Sequence, residues 1–201
     1  MRKSKLLLLP LLAMLAACGA TQTSMPYAPT VAVQPAAPAR PVVAVLDTVA
    51  NERRAGREDA TWIGTIRGGY GNPLKALHAD APVEQVVARA FRDGLAARGL
   101  GAAETAPSPY SLAVTIHQFD ANQYIRREAT ADFGAVLTER GSGREVWRDR
   151  HRAYLVDGSI FALNTGVFAS TDDLRRVALR SMSEAVDALL DKPGLRAALQ
   201  R

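Results

Sequence analysis

Alternation of apolar and polar residues with period two dominates the middle of the chain and predicts three β-strands. These strands cover residues 110–120, 126–140 and 144–156, because successive side chains of a strand point to opposite faces. The short sequence Gly141-Ser142-Gly143 joins the last two strands and indicates an antiparallel hairpin. In the third strand, Trp147 and its alternate neighbours form one face, and Arg148, Arg150 and Arg152 form the other.

Two further strands and two helices are predicted around this group. A β-branched run at residues 41–46 and a stretch at 61–67 precede a helix that begins near Asp80. Apolar residues recur along this helix at helical spacing, which leaves Arg89, Arg92 and Arg98 for solvent. A final helix begins near Ser170 or Thr171, and Pro193 and Gly194 are expected to end it.

The predicted order β-β-α-β-β-β-α defines the expected fold class. It is an α+β fold in which a mostly antiparallel sheet carries two helices packed on one face. The region from residue 41 to residue 191 has the length of one compact domain, and residues 192–201 form a C-terminal tail.

The N-terminal residues 1–17 have the layout of an export signal, with basic residues followed by an apolar run and then small residues. The apolar run is shorter than the ~20 residues of a membrane-spanning helix. The tetrapeptide Leu15-Ala16-Ala17-Cys18 resembles the lipobox of bacterial lipoprotein precursors. This resemblance implies cleavage before Cys18, acylation of its thiol, and anchorage in a membrane by several acyl chains.

The residue after the cysteine and the sequence beyond it suggest where the protein resides. Gly19 replaces the aspartate that would retain an enterobacterial-type lipoprotein in the inner membrane, so the resemblance implies the outer membrane, facing the periplasm. Residues 18–40 comprise the lipidated cysteine and a tether of 22 residues, from Gly19 to Arg40, whose proline- and alanine-rich composition predicts disorder. Such a tether would reach roughly 70 Å when extended and about 25 Å as a flexible coil.

The net charge of +5 at first suggests a nucleic-acid partner, but processing removes most of it. Three of the 25 basic residues lie in the signal, which leaves 22 basic against 20 acidic residues. A nearly neutral exported protein lacks the electrostatic footprint of nucleic-acid binding. Cys18 is also the single cysteine of the chain, which excludes an internal disulfide.

Short motifs between Val42 and Gly99 resemble the YajG-like bacterial lipoproteins. They comprise a strand that ends in an aspartate, an arginine-bearing loop, two short glycine motifs and an amphipathic helix; the residues are Asp47, Arg53, Arg54, Ile63-Gly64, Tyr70-Gly71, Gly94-Leu95 and Gly99. The aspartate and the first arginine stand further apart here than in many such proteins. The resemblance implies a non-enzymatic envelope lipoprotein, related in general design to auxiliary lipoproteins of lipid transporters, with no catalytic residue and no cofactor.

Candidate chemistry within the domain is sparse. The glycines at positions 68, 69 and 71 match neither phosphate-binding nor dinucleotide-binding patterns, which favours a structural turn. His117, Asp149 and His151 lie on neighbouring predicted strands and could approach a metal, although their spacing matches no metal motif. No nucleophile motif occurs, so we expect no enzyme activity and no cofactor.

Two features are candidate interaction surfaces. Arg148, Arg150 and Arg152 either protect a sheet edge as solvated residues or form a basic face for anionic lipid or an acidic partner. The apolar stretch of residues 159–168, which contains Ile160, Phe161 and Phe168, is either a core-covering segment or an exposed contact patch.

Together these patterns predict a membrane-anchored, non-catalytic periplasmic binding or accessory module of the cell envelope. Its expected partners are the membrane, through acyl chains on Cys18, and an envelope protein or a lipid. The alternative function is an auxiliary lipoprotein subunit of an envelope lipid transport system.

Overall fold

The computed structural model describes residues 21–33, 43–45, 49–102, 108–158 and 169–199. The expectations for the export signal, Cys18, Ile160, Phe161 and Phe168 lie outside the described residues. Within them the elements are β1 (Thr21–Thr23), β2 (Val43–Val45), β3 (Ala50–Asn51), β4 (Trp62–Arg67), β5 (Pro73–Ala79), α1 (Val83–Ala97), β6 (Tyr110–Gln123), β7 (Arg127–Glu139), β8 (Arg144–Asp157), α2 (Thr171–Leu190) and α3 (Pro193–Ala198).

The three long strands β6, β7 and β8 form an antiparallel meander, which confirms the predicted strands and the hairpin. Ile116 lies opposite Phe133, which in turn lies opposite His151. A bulge after Ile116 adds one residue to β6, so that Phe119 also faces the core and the strand continues beyond its predicted end.

Short strands complete the sheet on the other side of β6. Strands β2, β3 and β4 pair with β6 one after another along its length, all in parallel orientation. Strand β5 then pairs with β4 in antiparallel orientation, and β1 pairs with β5 in parallel orientation. The pattern of the sequence did not predict β1, β3 or β5.

Helices α1 and α2 pack on one face of this sheet, which confirms the predicted α+β class. Phe91 of α1 meets Phe133 of β7 edge to face, with ring centroids 6.0 Å apart, and Phe119 meets Phe133 at the same separation. We call the opposite face of the sheet the outer face. None of the helices in the described ranges is both long and apolar enough to cross a bilayer.

The structure confirms the predicted start of α2 but differs from the prediction beyond its end. Ser170 caps the helix by accepting a hydrogen bond from the backbone N–H of Asp172. The helix ends at Leu190, and Pro193 begins the short helix α3 instead of only ending the chain's helical structure. Proline suits the first turn of a helix, where its missing N–H donor has no intrahelical partner.

The glycine-rich sequence at residues 68–72 forms the turn between β4 and β5, which agrees with the predicted structural turn. Gly71 has φ +80°, which only glycine adopts without strain. The turn leads into a strand and not into a helix, which a phosphate-binding loop would require.

Candidate functional site

Part of the predicted tether is packed on the domain, so the expectation of a disordered segment is wrong for residues 21–33. We call residues 24–31 the strap; it follows β1 and lies against α2. Met25 is only 3% exposed. The Ser24 carbonyl accepts hydrogen bonds from Arg175 at 2.8 and 2.5 Å, and the Ser183 hydroxyl accepts one from the Ala28 N–H at 3.3 Å.

Asp187 of α2 is the centre of the contacts that hold the strap. Its carboxylate accepts hydrogen bonds from the Tyr27 hydroxyl at 2.5 Å and from the N–H and the hydroxyl of Thr30, each at 2.7 Å. The Arg98 guanidinium donates to the same carboxylate at 3.0 Å. Asp187 therefore links the strap, α1 and α2.

Arg98 was predicted to face solvent, and this prediction is wrong because Asp187 of α2 and Asp191 just after that helix supply two carboxylates to it. The residue is 4% exposed and also donates to Asp191 at 2.6 and 3.0 Å. Burial alone would lower the pKa of Arg98, but its hydrogen bonds to Asp191, Tyr27 and Asp187 outweigh that effect and raise it. The guanidinium thus stays charged in a buried position.

Tyr27 is likewise held in one protonation state. Burial, followed by the hydrogen bond to Asp187, raises the pKa of Tyr27 to about 12. The phenol therefore keeps its proton near neutral pH and remains a donor to the carboxylate.

A cleft of about 780 Å³ lies between the strap and α2. Its walls include proline and aliphatic side chains of the strap, and on the helix Leu179 together with the charged residues Arg176, Arg180 and Glu184. Val31 stands at its rim and is 51% exposed.

The outer face carries the arginine row that the alternation of β8 predicted. Arg148, Arg150 and Arg152 are exposed, whereas Ala153 on the other side of the strand is buried. Strand β8 is also the edge of the sheet, which agrees with cationic residues that discourage edge pairing.

Most of the positive charge of this row is paired locally. Arg150 forms a bidentate pair with Asp132 of β7, with both distances 2.7 Å and an Asp132 side chain only 7% exposed. The hydrogen bonds from Arg150 lower the pKa of Asp132. Arg148 pairs with Glu145 at 2.7 and 3.0 Å, and Arg152 lies opposite Asp132.

The structure does not bring together the three residues that were candidate metal ligands. His117 lies on the outer face, where its Nδ1 is 2.9 Å from Glu52 and its ring lies beside Gly134. Asp149 alternates with the arginines of β8 and lies on the helix side, 3.2 Å from Lys192; His151 shares that side. Among the described residues no group of three or more metal-ligating side chains is found.

Two residues of the quoted motifs have structural roles. Arg53 is 1% exposed and donates to the carbonyls of Trp62 at 2.9 Å and Phe119 at 3.2 Å, so it connects β4 and β6. Gly64 lies where these strands meet, and a Cβ atom there would be 2.2 Å from the Ala121 carbonyl oxygen. Only glycine allows this close approach.

The described residues thus form a single α+β domain with a strap fastened to α2. No family model and no curated protein matches the chain. Protein XCC0632 from Xanthomonas campestris, of the family DUF330, is 21% identical with a TM-score of 0.54, over 82% of this chain and 91% of that one. This likeness shows a shared fold.

Two further solved structures match with lower scores. A candidate lipoprotein from Caulobacter crescentus CB15 is 19% identical with a TM-score of 0.38, over 57% of this chain and 80% of that one. Lipoprotein GNA1162 from Neisseria meningitidis is 13% identical with a TM-score of 0.30, over 76% of this chain and 100% of that one.

Proposed function

We propose that this protein is a bacterial lipoprotein that is acylated on Cys18 and serves as a non-catalytic binding or accessory module of the cell envelope. The observation that carries the proposal is the position of the lipobox, because Cys18 precedes the first residue of β1, Thr21, by only three positions. The lipobox therefore stands where a cleaved leader would give way to the folded domain.

The finer points of the proposal rest on the sequence. Gly19 after the cysteine favours the outer membrane with the domain in the periplasm. The YajG-like motifs favour a non-enzymatic envelope protein. Arg53 and Gly64 belong to two of these motifs, and their contacts between β4 and β6 account for them without a catalytic role. The partner is a second envelope component, and nucleic acid is not among the expected partners.

Acylation is tested by mass spectrometry and fractionation of the protein produced in a bacterial host. We expect the mature protein in the membrane fraction, with a mass increased by the acyl groups. Cys18→Ser should leave an unacylated precursor, and Gly19→Asp, the matched variant, should keep the acyl groups but move the protein to the inner membrane. An unchanged mass or membrane fraction for Cys18→Ser would refute the proposal.

The cleft between the strap and α2 favours one second candidate function, an auxiliary lipoprotein subunit of an envelope lipid transport system. Its volume of about 780 Å³ lies within the range of small-molecule sites, and the apolar side of its walls suits a fatty acyl chain. Mass spectrometry of solvent extracts from the purified protein would support this function if phospholipid is recovered in stoichiometric amount. Extracts without phospholipid, together with a cross-linked envelope protein, would favour the accessory role.

A further inference from the structure

Two turns meet at one end of the sheet, which we call the tip: residues 68–72 between β4 and β5, and residues 124–126 between β6 and β7. They are adjacent because β4 and β6 run parallel and end together, with Ile66 opposite Gln123. The Tyr124 hydroxyl donates to the Gly69 carbonyl at 2.8 Å, which fixes one turn to the other.

The tip concentrates the exposed apolar side chains of the domain. In the described ranges seven large apolar side chains are exposed, and six of them lie on the two turns or within four residues of this end of the sheet: Tyr70, Leu74, Tyr124, Ile125, Tyr154 and Val156. Tyr70 is fully exposed, and Ile125 is 52% exposed. Tyrosine and aliphatic side chains together are typical of a surface that meets the boundary between water and lipid.

The chain also enters the domain from the side of the tip. Strand β1 is parallel to β5, and Thr21 pairs with Leu77. Leu77 is four residues from Pro73 at the tip, a distance of about 13 Å along a strand. Cys18 is three residues before Thr21 and thus can lie no more than about 11 Å from it. An anchor at Cys18 would therefore hold Thr21, and with it the tip, close to the membrane surface.

Most charges near the tip are paired locally, so attraction to anionic lipid is not what would mainly hold it; Arg67, next to the first turn, instead donates to the Gly71 carbonyl at 3.1 Å. Arg126 pairs with Glu128 at 2.9 Å. Arg127 pairs with Asp157 at 3.2 Å and with Asp173 at 2.8 Å. Contact with a membrane would therefore depend on the tyrosines and Ile125 and would change little with salt.

We infer that the tip is a membrane-contact surface, whose aromatic and aliphatic side chains enter the phospholipid interface beside the acylated Cys18. The inference rests on the proposed acylation. The domain would then be oriented on the bilayer, with its strands directed toward the lipid. It would not stand off from the bilayer on a flexible tether.

The test measures the depth of a spin label in the acylated protein reconstituted into vesicles of phosphatidylethanolamine and phosphatidylglycerol. Acylation uses the thiol of Cys18, so Ile125→Cys provides a unique free thiol for labelling. Ser142→Cys is the matched control, because Ser142 is exposed in the hairpin between β7 and β8, at the end of the sheet opposite the tip. Circular dichroism checks that both variants fold.

We expect the label at position 125 to be several-fold more accessible to oxygen than to a nickel chelate, and the label at position 142 to show the reverse. The pattern at position 125 should persist in 1 M salt. A label at position 125 that is as water-exposed as the control overturns the inference, and so does contact that disappears at high salt. A failure of the proposed acylation is distinguishable, because the protein would then not remain with the vesicles at all.

Discussion

Replacing Asp187 by alanine should loosen the strap and destabilise the whole domain. The carboxylate accepts three hydrogen bonds from the strap and one from Arg98. Asp187 is 3% exposed, so water cannot readily replace the lost acceptor. The substitution thus leaves the donors of Tyr27 and Thr30 without their partner and removes one of the two carboxylates that neutralise a buried guanidinium.

The size of the effect follows from the contacts that remain. Removing one member of a buried ion pair typically costs 3–5 kcal/mol. Asp191 stays 2.6 Å from the Arg98 guanidinium, so the cation keeps one partner. The cost should therefore lie at the lower end of this range. We expect the free energy of unfolding to fall by about 3 kcal/mol, from a total of about 5–15 kcal/mol for a domain of this kind. In urea this loss corresponds to a midpoint about 1–3 M lower.

Two measurements on the unacylated protein test this expectation. Urea unfolding followed by circular dichroism gives the change in stability, and chymotrypsin digestion without urea reports cutting after Tyr27 in the strap. Glu184→Ala is the matched control, because Glu184 is partly exposed on the same helix and should change stability by less than about 0.5 kcal/mol. A loss below about 1 kcal/mol in Asp187→Ala, or cutting as slow as in the control, would refute the role assigned to Asp187.

Two further predictions concern the sheet. Gly64→Ala should separate β4 from β6 and prevent stable folding, because the new Cβ would be 2.2 Å from the Ala121 carbonyl oxygen; thermal unfolding measures the loss. Arg150→Gln should raise the pKa of Asp132 toward its ordinary value, which NMR titration of the carboxyl carbon detects. The folded protein lowers that pKa, so the stability from this pair is complete above about pH 4 and is lost as the pH falls.

Matched variants separate these effects from general damage. Gly69→Ala introduces a Cβ with nothing within 4 Å and should leave the melting temperature nearly unchanged. Arg148→Gln removes a solvent-exposed pair with Glu145 and should not alter acid unfolding. If Gly64→Ala melts like Gly69→Ala, or if both arginine variants unfold at the same pH, the corresponding argument is wrong.

Local patterns were sufficient for the long elements because each buries one regular face. Strands β6 to β8 alternate over 13 or 14 residues, and α1 and α2 repeat apolar residues at helical spacing. The sequence of β5 shows no such alternation, because its first two residues are exposed at the tip and only Leu77 and Ala79 are buried. Its conformation is set by β4 and β1 on either side.

The strap and Arg98 could not be predicted for a different reason. Composition rich in proline and alanine predicts disorder when a segment has no partner, and the partner of Tyr27 is 160 residues away in sequence. Arg98 at the end of an amphipathic helix similarly resembles a solvated cation until α2 places Asp187 and Asp191 beside it. Local sequence contains neither contact.

The packing of residues 21–33 on the domain changes how the predicted lipid anchor would act on it. A tether of 22 flexible residues would leave the domain free to rotate, so no surface would be directed toward the bilayer. A strand that begins at Thr21 instead leaves two residues between it and Cys18, a link of at most about 11 Å. This is shorter than the distance of about 13 Å from the level of Thr21 to the tip. The outer face with Arg150 and Arg152 would then stand upright on the membrane and remain open to a partner in the periplasm. Inserting a flexible Gly-Ser segment between Cys18 and Thr21 should therefore keep the acyl anchor but release the tip, and the spin label at position 125 should then become water-exposed.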